Sequence, residues 1–225
     1  MKAPWSFTST DGRQAVTRSD TIGWVREEIR DQVNQAAACL MAGGVVLLPT
    51  DTVYGLAVHP DHDDAITRLF AMKGRPRSVN LPVMIGSRAD IIALGGVVNS
   101  ATDALLDSKY VPGALTLAVG VSEGQLAPWL RGRDEFAVRI PDDDRILAII
   151  KQTGPLLVTS ANLHAEQVRE SVPEILSTLA SQPDLVIDDG IRDTVPSTLV
   201  NCRLVPPVVE RVGAVSEEEI GSILR

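Results

Sequence analysis

Apolar positions recur at helical spacing near the start of the chain and form short uninterrupted runs further along. A spacing of three or four residues predicts a first helix, whose apolar positions are Ile22, Val25, Ile29, Val33, Ala36 and Leu40. This helix is expected to end at Gly43-Gly44, because glycine is typical of a helix C-cap. The run from Val45 to Leu48 has no polar alternation, which is typical of a strand covered on both faces. A second apolar run resumes at Leu56.

Helical stretches and short apolar segments are interspersed along the rest of the chain. Asp61 and Asp63 are both candidate N-caps of a helix that is expected to end at Gly74 and Pro76. Further strands are predicted at 81–85, 115–121, 136–140, 156–159, 185–187, 197–200 and 208–211, and further helices at 88–94, 99–107, 142–150, 172–180 and from Ser216. This order predicts the α/β class, with a mixed sheet because some connections are short.

The length and the composition favour one folded domain. The chain has 225 residues, of which 44% are hydrophobic, enough for a core that needs no disulfide or metal. Residues 1–20 are polar and show no periodicity, so we interpret them as an N-terminal extension. Residues 21–225 are then expected to form a single domain.

Charge and cysteine content restrict the class of protein. The 29 acidic and 21 basic residues give a net charge of −8, which disfavours binding of nucleic acid through a broad basic face. Cys39 and Cys202 have no metal-binding spacing, so reduced thiols are expected. The sequence contains no apolar stretch of transmembrane length. We therefore expect a soluble cytoplasmic protein without a membrane partner.

Polar side chains follow several of the predicted strands. The sequence lacks the phosphate loop GxxxxGKS/T, the dinucleotide motif GxGxxG, the nucleophile elbow GxSxG and the zinc motif HExxH. The segments "PTDTVYG", "KGRPRS", "VTSAN" and "PST" lie instead at strand or helix ends, and strand ends are where open α/β sheets bind ligands.

Each of these polar segments also has an ordinary structural explanation. Threonines and Asp51 can form turns with their own backbone, and Lys73 and Arg75 suit a helix C-terminus. Arg139 is different, because it lies within an apolar strand and needs an anionic partner or a route to solvent. Cations combined with hydroxyls and amides, without an activated nucleophile, suit a polyanionic ligand such as a nucleoside triphosphate.

The same residues resemble a known family. The blocks "GGVVLLPTDTVYGLAV", "MKGRP", "VPGALTLAV", "AVRIP", "LLVTSAN", "PSTLV" and "ERVGAV" occur in the order found in the YrdC family of threonylcarbamoyl-AMP synthases, from about residue 29 to 216. The resemblance implies a YrdC-like twisted mixed sheet with flanking helices and a central positively charged cleft. It also implies a reaction in which L-threonine, bicarbonate and ATP form threonylcarbamoyl-AMP and pyrophosphate.

The resemblance assigns roles to individual residues. Four are expected to be catalytic and to bind the nucleotide: Lys73 and Arg75 at its phosphates, and Ser160 and Asn162 in the same cleft. Asn80 and Arg211 are expected at the nucleotide, and Thr52, Arg139 and Ser197 at threonine and bicarbonate, with the Arg139 guanidinium on the threonine carboxylate. No protein ligand to a metal is assigned, and Mg²⁺ is expected to accompany ATP.

The implied partners are ATP, L-threonine, bicarbonate and a separate tRNA threonylcarbamoyl transferase, with tRNA binding by this chain weak or indirect. The sequence departs from the family pattern at Val79-Asn80, at Met84 and at Leu163-His164-Ala165. Two alternatives stay open: an RNA-binding or ribosome-associated module of the same fold, and a relative that uses another carbamoyl acceptor.

Overall fold

The computed structural model describes residues 18–77, 79–122, 126–164 and 166–225, with side chains from residue 27 onward. The helices are α1 (Arg18–Met41), α2 (Asp63–Met72), α3 (Arg88–Ala93), α4 (Ser100–Leu106), α5 (Asp144–Thr153), α6 (Val172–Thr178) and α7 (Glu217–Ile223). None of these helices has both the length and the apolar character that a membrane span would require. A short 3-10 turn covers Pro128–Leu130.

In the described residues nine strands form one sheet, which is mixed as the sequence predicted and contains one strand more than the eight expected. They are β1 (Val46–Leu48), β2 (Gly55–Val58), β3 (Val83–Met84), β4 (Leu115–Gly120), β5 (Glu135–Arg139), β6 (Leu156–Ser160), β7 (Leu185–Val186), β8 (Thr198–Asn201) and β9 (Val208–Arg211). Their order across the sheet is β7-β1-β2-β6-β3-β5-β4-β8-β9. The pairs β1–β7, β3–β5 and β4–β8 are parallel and the other neighbours are antiparallel.

The two faces of the sheet have different coverings. One face packs against α2, α3, α4, α6 and α7 and forms the larger core, to which β4 and β5 contribute Leu117 and Phe136. The other face packs against α1 and α5, but only over β1, β2, β3, β6 and β7. Side chains alternate between the faces along each strand, so the pattern of β1 places Leu47 in the first core and Val46 in the second.

The second face stays open over β4, β5 and β8, because neither α1 nor α5 contributes to a core there. The side chains of β4 and β5 that point away from the larger core are Thr116, Ala118, Glu135, Ala137 and Arg139, and these line a cavity. The cleft therefore occupies a part of the sheet that no helix of the second core covers.

Helix ends follow the sequence in most cases. Gly43 has φ of +80° and its N–H bonds to Leu40 O, so the predicted glycine C-cap of α1 is confirmed. The helix predicted from Ser216 is α7, and Ser216 is its N-cap and forms a capping box with Glu219. The predicted helix α2 is present, but its predicted N-cap was wrong, because the N-cap residue is His62, without a side-chain cap bond, rather than Asp61 or Asp63.

The structure differs from the sequence prediction at β2 and at the start of α1. The run that resumes at Leu56 was not assigned a strand, yet β2 pairs antiparallel with β1 through a tight connection at residues 49–54. Helix α1 begins at Arg18, and residues 1–17 of the predicted N-terminal extension lie outside the described residues.

Candidate functional site

A cavity of about 470 Å³ occupies the open part of the second face. Seven of the nine residues that the sequence singled out line it: Thr52, Arg75, Asn80, Arg139, Ser160, Ser197 and Arg211. They come from the β1–β2 connection, the segment after α2, β5, β6, the approach to β8, and β9. The fold thus brings residues that are distant in sequence to one cleft, as expected.

Arg139 is the most completely buried cation of the cleft wall. Its side chain is 6% exposed, and burial lowers the pKa of its guanidinium. Nε donates to Gly113 O at 2.9 Å, Nη1 to Thr52 Oγ1 at 2.9 Å and Nη2 to Asp51 Oδ1 at 2.8 Å. A guanidinium has five N–H donors, so two remain without a partner among the described residues.

Asp51 supplies the anionic charge that Arg139 needs. Its carboxylate is 11% exposed and forms the only ion pair of Arg139 in the described part of the chain. The sequence had suggested that Asp51 forms a turn with its own backbone and that a threonine carboxylate meets the demand of Arg139. The structure shows that Asp51 pairs with Arg139 instead of forming a turn with its own backbone, whereas a threonine carboxylate at Arg139 stays a prediction.

Lys73 lies behind the cleft wall instead of lining the cavity. It is 2% exposed, and its Nζ donates to the main-chain carbonyls of Ser160 and Asn162. Burial, and secondarily the charge of Arg75, lowers the pKa of Lys73 to about 7. Lys73 therefore holds the backbone of the Ser-x-Asn segment, whereas Gly74 and Arg75 follow on a more exposed turn.

Ser160 and Asn162 form one hydrogen-bonded unit at the end of β6. Ser160 Oγ donates to Asn162 Oδ1 at 2.5 Å, and Asn162 Nδ2 donates to Leu163 O and Glu166 O. Ser160 lines the cavity and Asn162 is buried next to it. Asn162 consequently orders the loop that follows β6, while Ser160 presents its hydroxyl to the cleft.

Arg75 and Asn80 belong to one segment that lines the cavity next to the end of β6. Arg75 Nη2 donates to Asn80 O at 2.9 Å, and its Nη1 lies 3.4 Å from Thr159 Oγ1. The main-chain carbonyl of Asn80 thus helps to hold the Arg75 side chain in place. Asn80 itself is exposed and lines the cavity.

Ser197 and Arg211 close the cleft beside β8 and β9. Ser197 Oγ bonds to Thr116 Oγ1 at 2.7 Å, and Arg211 Nη2 donates to Ser197 O at 2.7 Å. Gly213 packs so closely on this segment that a Cβ there would lie 2.1 Å from Pro196 O. The glycine is required by this approach, which fixes Ser197 at the cavity.

The arginines of the cleft influence one another electrostatically. Burial and then the charge of Arg211 lower the pKa of Arg75, and burial and then the charge of Arg139 lower the pKa of Arg211. Cations held near each other destabilise one another until an anion binds between them. This arrangement suits a ligand with several negative charges.

Tyr54 supports the cleft without lining it, and sequence reasoning assigned it no role. Its ring is fully buried, its hydroxyl donates to Gly190 O at 2.7 Å and accepts from Asp189 N at 2.9 Å, and its own carbonyl accepts from Ala161 N at 2.8 Å. Tyr54 therefore joins the 49–54, 160–162 and 188–190 segments.

Other lining residues were missed for a different reason. Thr116, Glu135 and Glu210 also line the cavity. The signal for Thr116 and Glu135 was their alternation with core residues on β4 and β5, which places them on the face opposite the larger core.

Comparison with known proteins identifies similar chains. The Sua5/YciO/YrdC family model, described as "Telomere recombination", matches residues 38–213. A Bacillus subtilis protein named threonylcarbamoyl-AMP synthase is 32% identical over 196 residues, which are 86% of this chain and 56% of that protein. This chain thus spans little more than half the length of that relative.

Two solved structures have similar folds. Pyrococcus abyssi Sua5 complexed with L-threonine superposes with a TM-score of 0.75 and 29% identity, over 85% of this chain and 56% of the other. Escherichia coli YciO superposes with a TM-score of 0.74 and 24% identity, over 84% of this chain and 93% of the other. The YciO likeness is evidence of the fold alone.

Proposed function

Because this chain belongs to the Sua5/YciO/YrdC family, we propose that it is a nucleotidyltransferase that makes threonylcarbamoyl-AMP from L-threonine, bicarbonate and ATP. The observation that carries the proposal is the single cleft in which Thr52, Arg75, Arg139, Ser160 and Arg211 meet. Relatives named threonylcarbamoyl-AMP synthase, and a solved relative that holds L-threonine, support the same activity.

Threonine is assigned to the region of Thr52, Arg139 and Ser197. Arg139 has two N–H donors without a protein partner in the described residues, which matches bidentate binding of a carboxylate. The Asp51 pair and the Gly113 carbonyl hold the guanidinium in one orientation, so little conformational entropy is lost on binding. The hydroxyls of Thr52 and Ser197 then face the amino acid.

ATP is assigned to the region of Arg75, Asn80, Ser160 and Arg211. In the proposed reaction the threonine amine attacks bicarbonate, and loss of water gives a carbamate. A carbamate oxygen then attacks the α-phosphorus, and the bond to the leaving pyrophosphate breaks. Arg75 and Arg211 stabilise the charge that moves onto the leaving group, because preorganised cations need no reorganisation during the step.

Lys73 has a different part in this proposal from the phosphate contact first expected. Its amine holds the Ser160 and Asn162 carbonyls, so its main contribution is to the shape of the nucleotide side of the cleft. ATP would raise the pKa of Lys73 from about 7, because added negative charge favours the ammonium form.

Mg²⁺ is assigned to the triphosphate rather than to a protein cage. The described residues contain no group of three His, Cys, Asp or Glu side chains that could hold a metal. Mg²⁺ commonly binds through substrate phosphates and water, with one or two carboxylates at most. The cation would neutralise part of the phosphate charge that Arg75 and Arg211 meet.

The cellular context completes the proposal. Residues 21–225 act as one domain in the cytoplasm, and the product passes to a separate transferase that modifies tRNA. Glu135 and Glu210 at the cleft oppose direct binding of a polyanionic tRNA there, so tRNA contact by this chain is weak or indirect.

The test is a product analysis. Incubation with ATP, threonine and bicarbonate should give pyrophosphate and threonylcarbamoyl-AMP, identified by mass spectrometry. Pyrophosphate release should require both threonine and bicarbonate. ATP turnover that is indifferent to threonine would refute the proposal, and turnover with another amine in place of threonine would indicate a different carbamoyl acceptor.

A further inference from the structure

A second cavity lies on the other side of the sheet at β6. It has a volume of about 190 Å³ and extends between α2, the segment after α2, the 3-10 turn and β6. Its β6 residue, Leu157, belongs to the larger core, whereas the next residue, Val158, belongs to the second core and lines the cleft. Successive side chains of a strand point to opposite faces, so β6 separates the two spaces. We call the second space the α2 cavity.

The inner walls of the α2 cavity are apolar. Phe70 of α2 and Leu157 of β6 are buried in the larger core, and Ile66 and Trp129 pack against that core. The cavity has less than half the volume of the cleft, and it is smaller than the roughly 300 Å³ at which sites for drug-sized ligands begin. A ligand that fits there is therefore smaller than a nucleotide and has an apolar part.

Arg133 is the only half-buried residue among the charged ones that line the α2 cavity in the described part of the chain. None of its side-chain N–H groups has an acceptor among the described residues, and its Nη1 is fully buried. Burial lowers the pKa of the Arg133 guanidinium. A buried guanidinium needs an anionic partner, as Arg139 has in Asp51. The α2 cavity therefore suits a ligand with a negative charge at Arg133.

The other charges at the α2 cavity offset each other. Asp63 and Arg77 both line it, both are exposed, and they carry opposite charges. Water and salt screen exposed charges, so these two contribute little in comparison with Arg133. The cavity thus offers one positive charge beside an apolar surface. A monocarboxylate with an apolar body matches this combination, whereas inorganic phosphate has no apolar part.

The segment after α2 connects the α2 cavity with the cleft. Val79 and Asn80 line both spaces, and Asn80 O accepts from Arg75 Nη2 at 2.9 Å. A ligand that packs against Val79 and Asn80 from the α2 side restricts the segment that holds Arg75. Ordering a segment in advance reduces the entropy that a second ligand must lose, which gives positive coupling between the two ligands.

We propose that the α2 cavity binds a small monocarboxylate with a branched or aromatic body, and that its occupancy favours ATP binding in the cleft through Asn80 and Arg75. The carboxylate binds to Arg133, and the apolar body contacts Phe70 and Trp129. The binding is independent of the proposed function, whereas the effect on ATP rests on it. The α2 cavity is then an effector site, separate from the region assigned to threonine.

Titration with benzoate, followed by calorimetry and by tryptophan fluorescence, tests the binding. The chain has three tryptophans, Trp5, Trp24 and Trp129, so a chain with Trp5→Phe and Trp24→Phe reports Trp129 alone. Benzoate and 4-methylpentanoate should each bind with a dissociation constant of about 1 mM or lower and change the emission of Trp129. Benzamide, which has no charge, should bind at least about tenfold more weakly than benzoate, because ionic hydrogen bonds are the strong ones. Inorganic phosphate should also bind more weakly.

Arg133→Met tests whether the guanidinium binds the carboxylate. It should weaken benzoate binding by about tenfold or more and leave the melting temperature unchanged or higher, because it removes a charge without a partner. Arg131→Met, at an exposed position in the same loop and outside the cavity, is the matched control and should bind benzoate as the unaltered chain does. A lower melting temperature of Arg133→Met would reveal a structural partner of Arg133 and overturn the site. Benzamide or phosphate that bound the unaltered chain as tightly as benzoate would also overturn it.

The rate of threonine-dependent pyrophosphate release tests the coupling. Saturating benzoate should lower the ATP concentration for half-maximal rate by about fivefold or more, and Arg133→Met should lose this effect. Benzoate that bound without changing the ATP dependence would overturn the coupling. Benzoate that competed with threonine equally well in Arg133→Met would bind in the cleft and overturn the α2 site. A chain that bound benzoate through Arg133 but released no pyrophosphate would overturn the proposed function and support the site.

Discussion

Replacement of Asp51 by alanine tests whether Arg139 is held by an ion pair inside the cleft wall. The pair has an N–O distance of 2.8 Å, and its side chains are only 6% and 11% exposed. Removing one partner of a buried pair leaves an uncompensated charge and typically costs about 3–5 kcal/mol. The exposed pair of Glu27 and Arg30, with side chains 67% and 68% exposed, should contribute at most about 1 kcal/mol.

Urea unfolding and thermal melts of Asp51→Ala, Asp51→Asn and the control Glu27→Ala measure the difference. For a domain of this size, about 1 kcal/mol corresponds to a shift of about 2–4 °C in Tm, so Asp51→Ala should lose roughly 6–20 °C. Asp51→Asn should lose less, since the amide oxygen still accepts from Arg139. If Asp51→Ala were no more destabilised than Glu27→Ala, the buried pair would not exist in solution and the threonine assignment of Arg139 would lose its basis.

Three further predictions concern the cleft. Because the pKa of Lys73 is lowered to about 7, the folded chain binds fewer protons than the unfolded chain above that pH. The free energy of unfolding should therefore rise from pH 7 toward 10, by at most about 1.4 kcal/mol per pH unit. Urea unfolding at several pH values measures this rise, which should be smaller in Lys73→Met. Arg75→Ala should slow threonine-dependent pyrophosphate release by about 100-fold or more, with an unchanged melting temperature. The control Arg77→Ala, at an exposed position on the same turn, should change the rate less than about twofold. Equal effects of the two replacements would exclude a specific role for Arg75. Tyr54→Phe should lose about 1–3 kcal/mol in urea unfolding, because Gly190 O and the neighbouring N–H lose their partner, and a loss no larger than about 0.5 kcal/mol would show that water replaces the hydroxyl.

Local pattern predicted most of the strands and helices, and it failed where a tertiary contact decided the outcome. The strand β2 was missed because a run of four residues is too short for its periodicity to distinguish a strand from a helix. Its pairing with β1 and β6 makes it a strand. The α2 cap was wrong because His62 takes that position while its ring bonds to Met41 O in another segment. Short elements depend on their neighbours more than on their own composition.

The sequence predicted several residues that line the cleft, but it did not predict which partners those residues bond to. Strand ends and the family resemblance identified Thr52, Arg139 and Ser160, and the cavity contains all three. The partner of Arg139 is a carboxylate 88 residues away, and Lys73 bonds to carbonyls 87 and 89 residues away. Contacts at such separation depend on the order of strands in the sheet, which periodicity along the chain does not contain.

The sequence by itself determined a sheet with two buried faces, because uninterrupted apolar runs have no polar side to turn toward water. It also determined which residue types are available at the strand ends. The tertiary structure decided that α1 and α5 cover only half of the second face, so that Thr116, Glu135 and Arg139 border a cleft instead of a core. The reason is geometric: alternation along a strand assigns each side chain to a face, but only the packing of distant helices decides whether that face is buried or open.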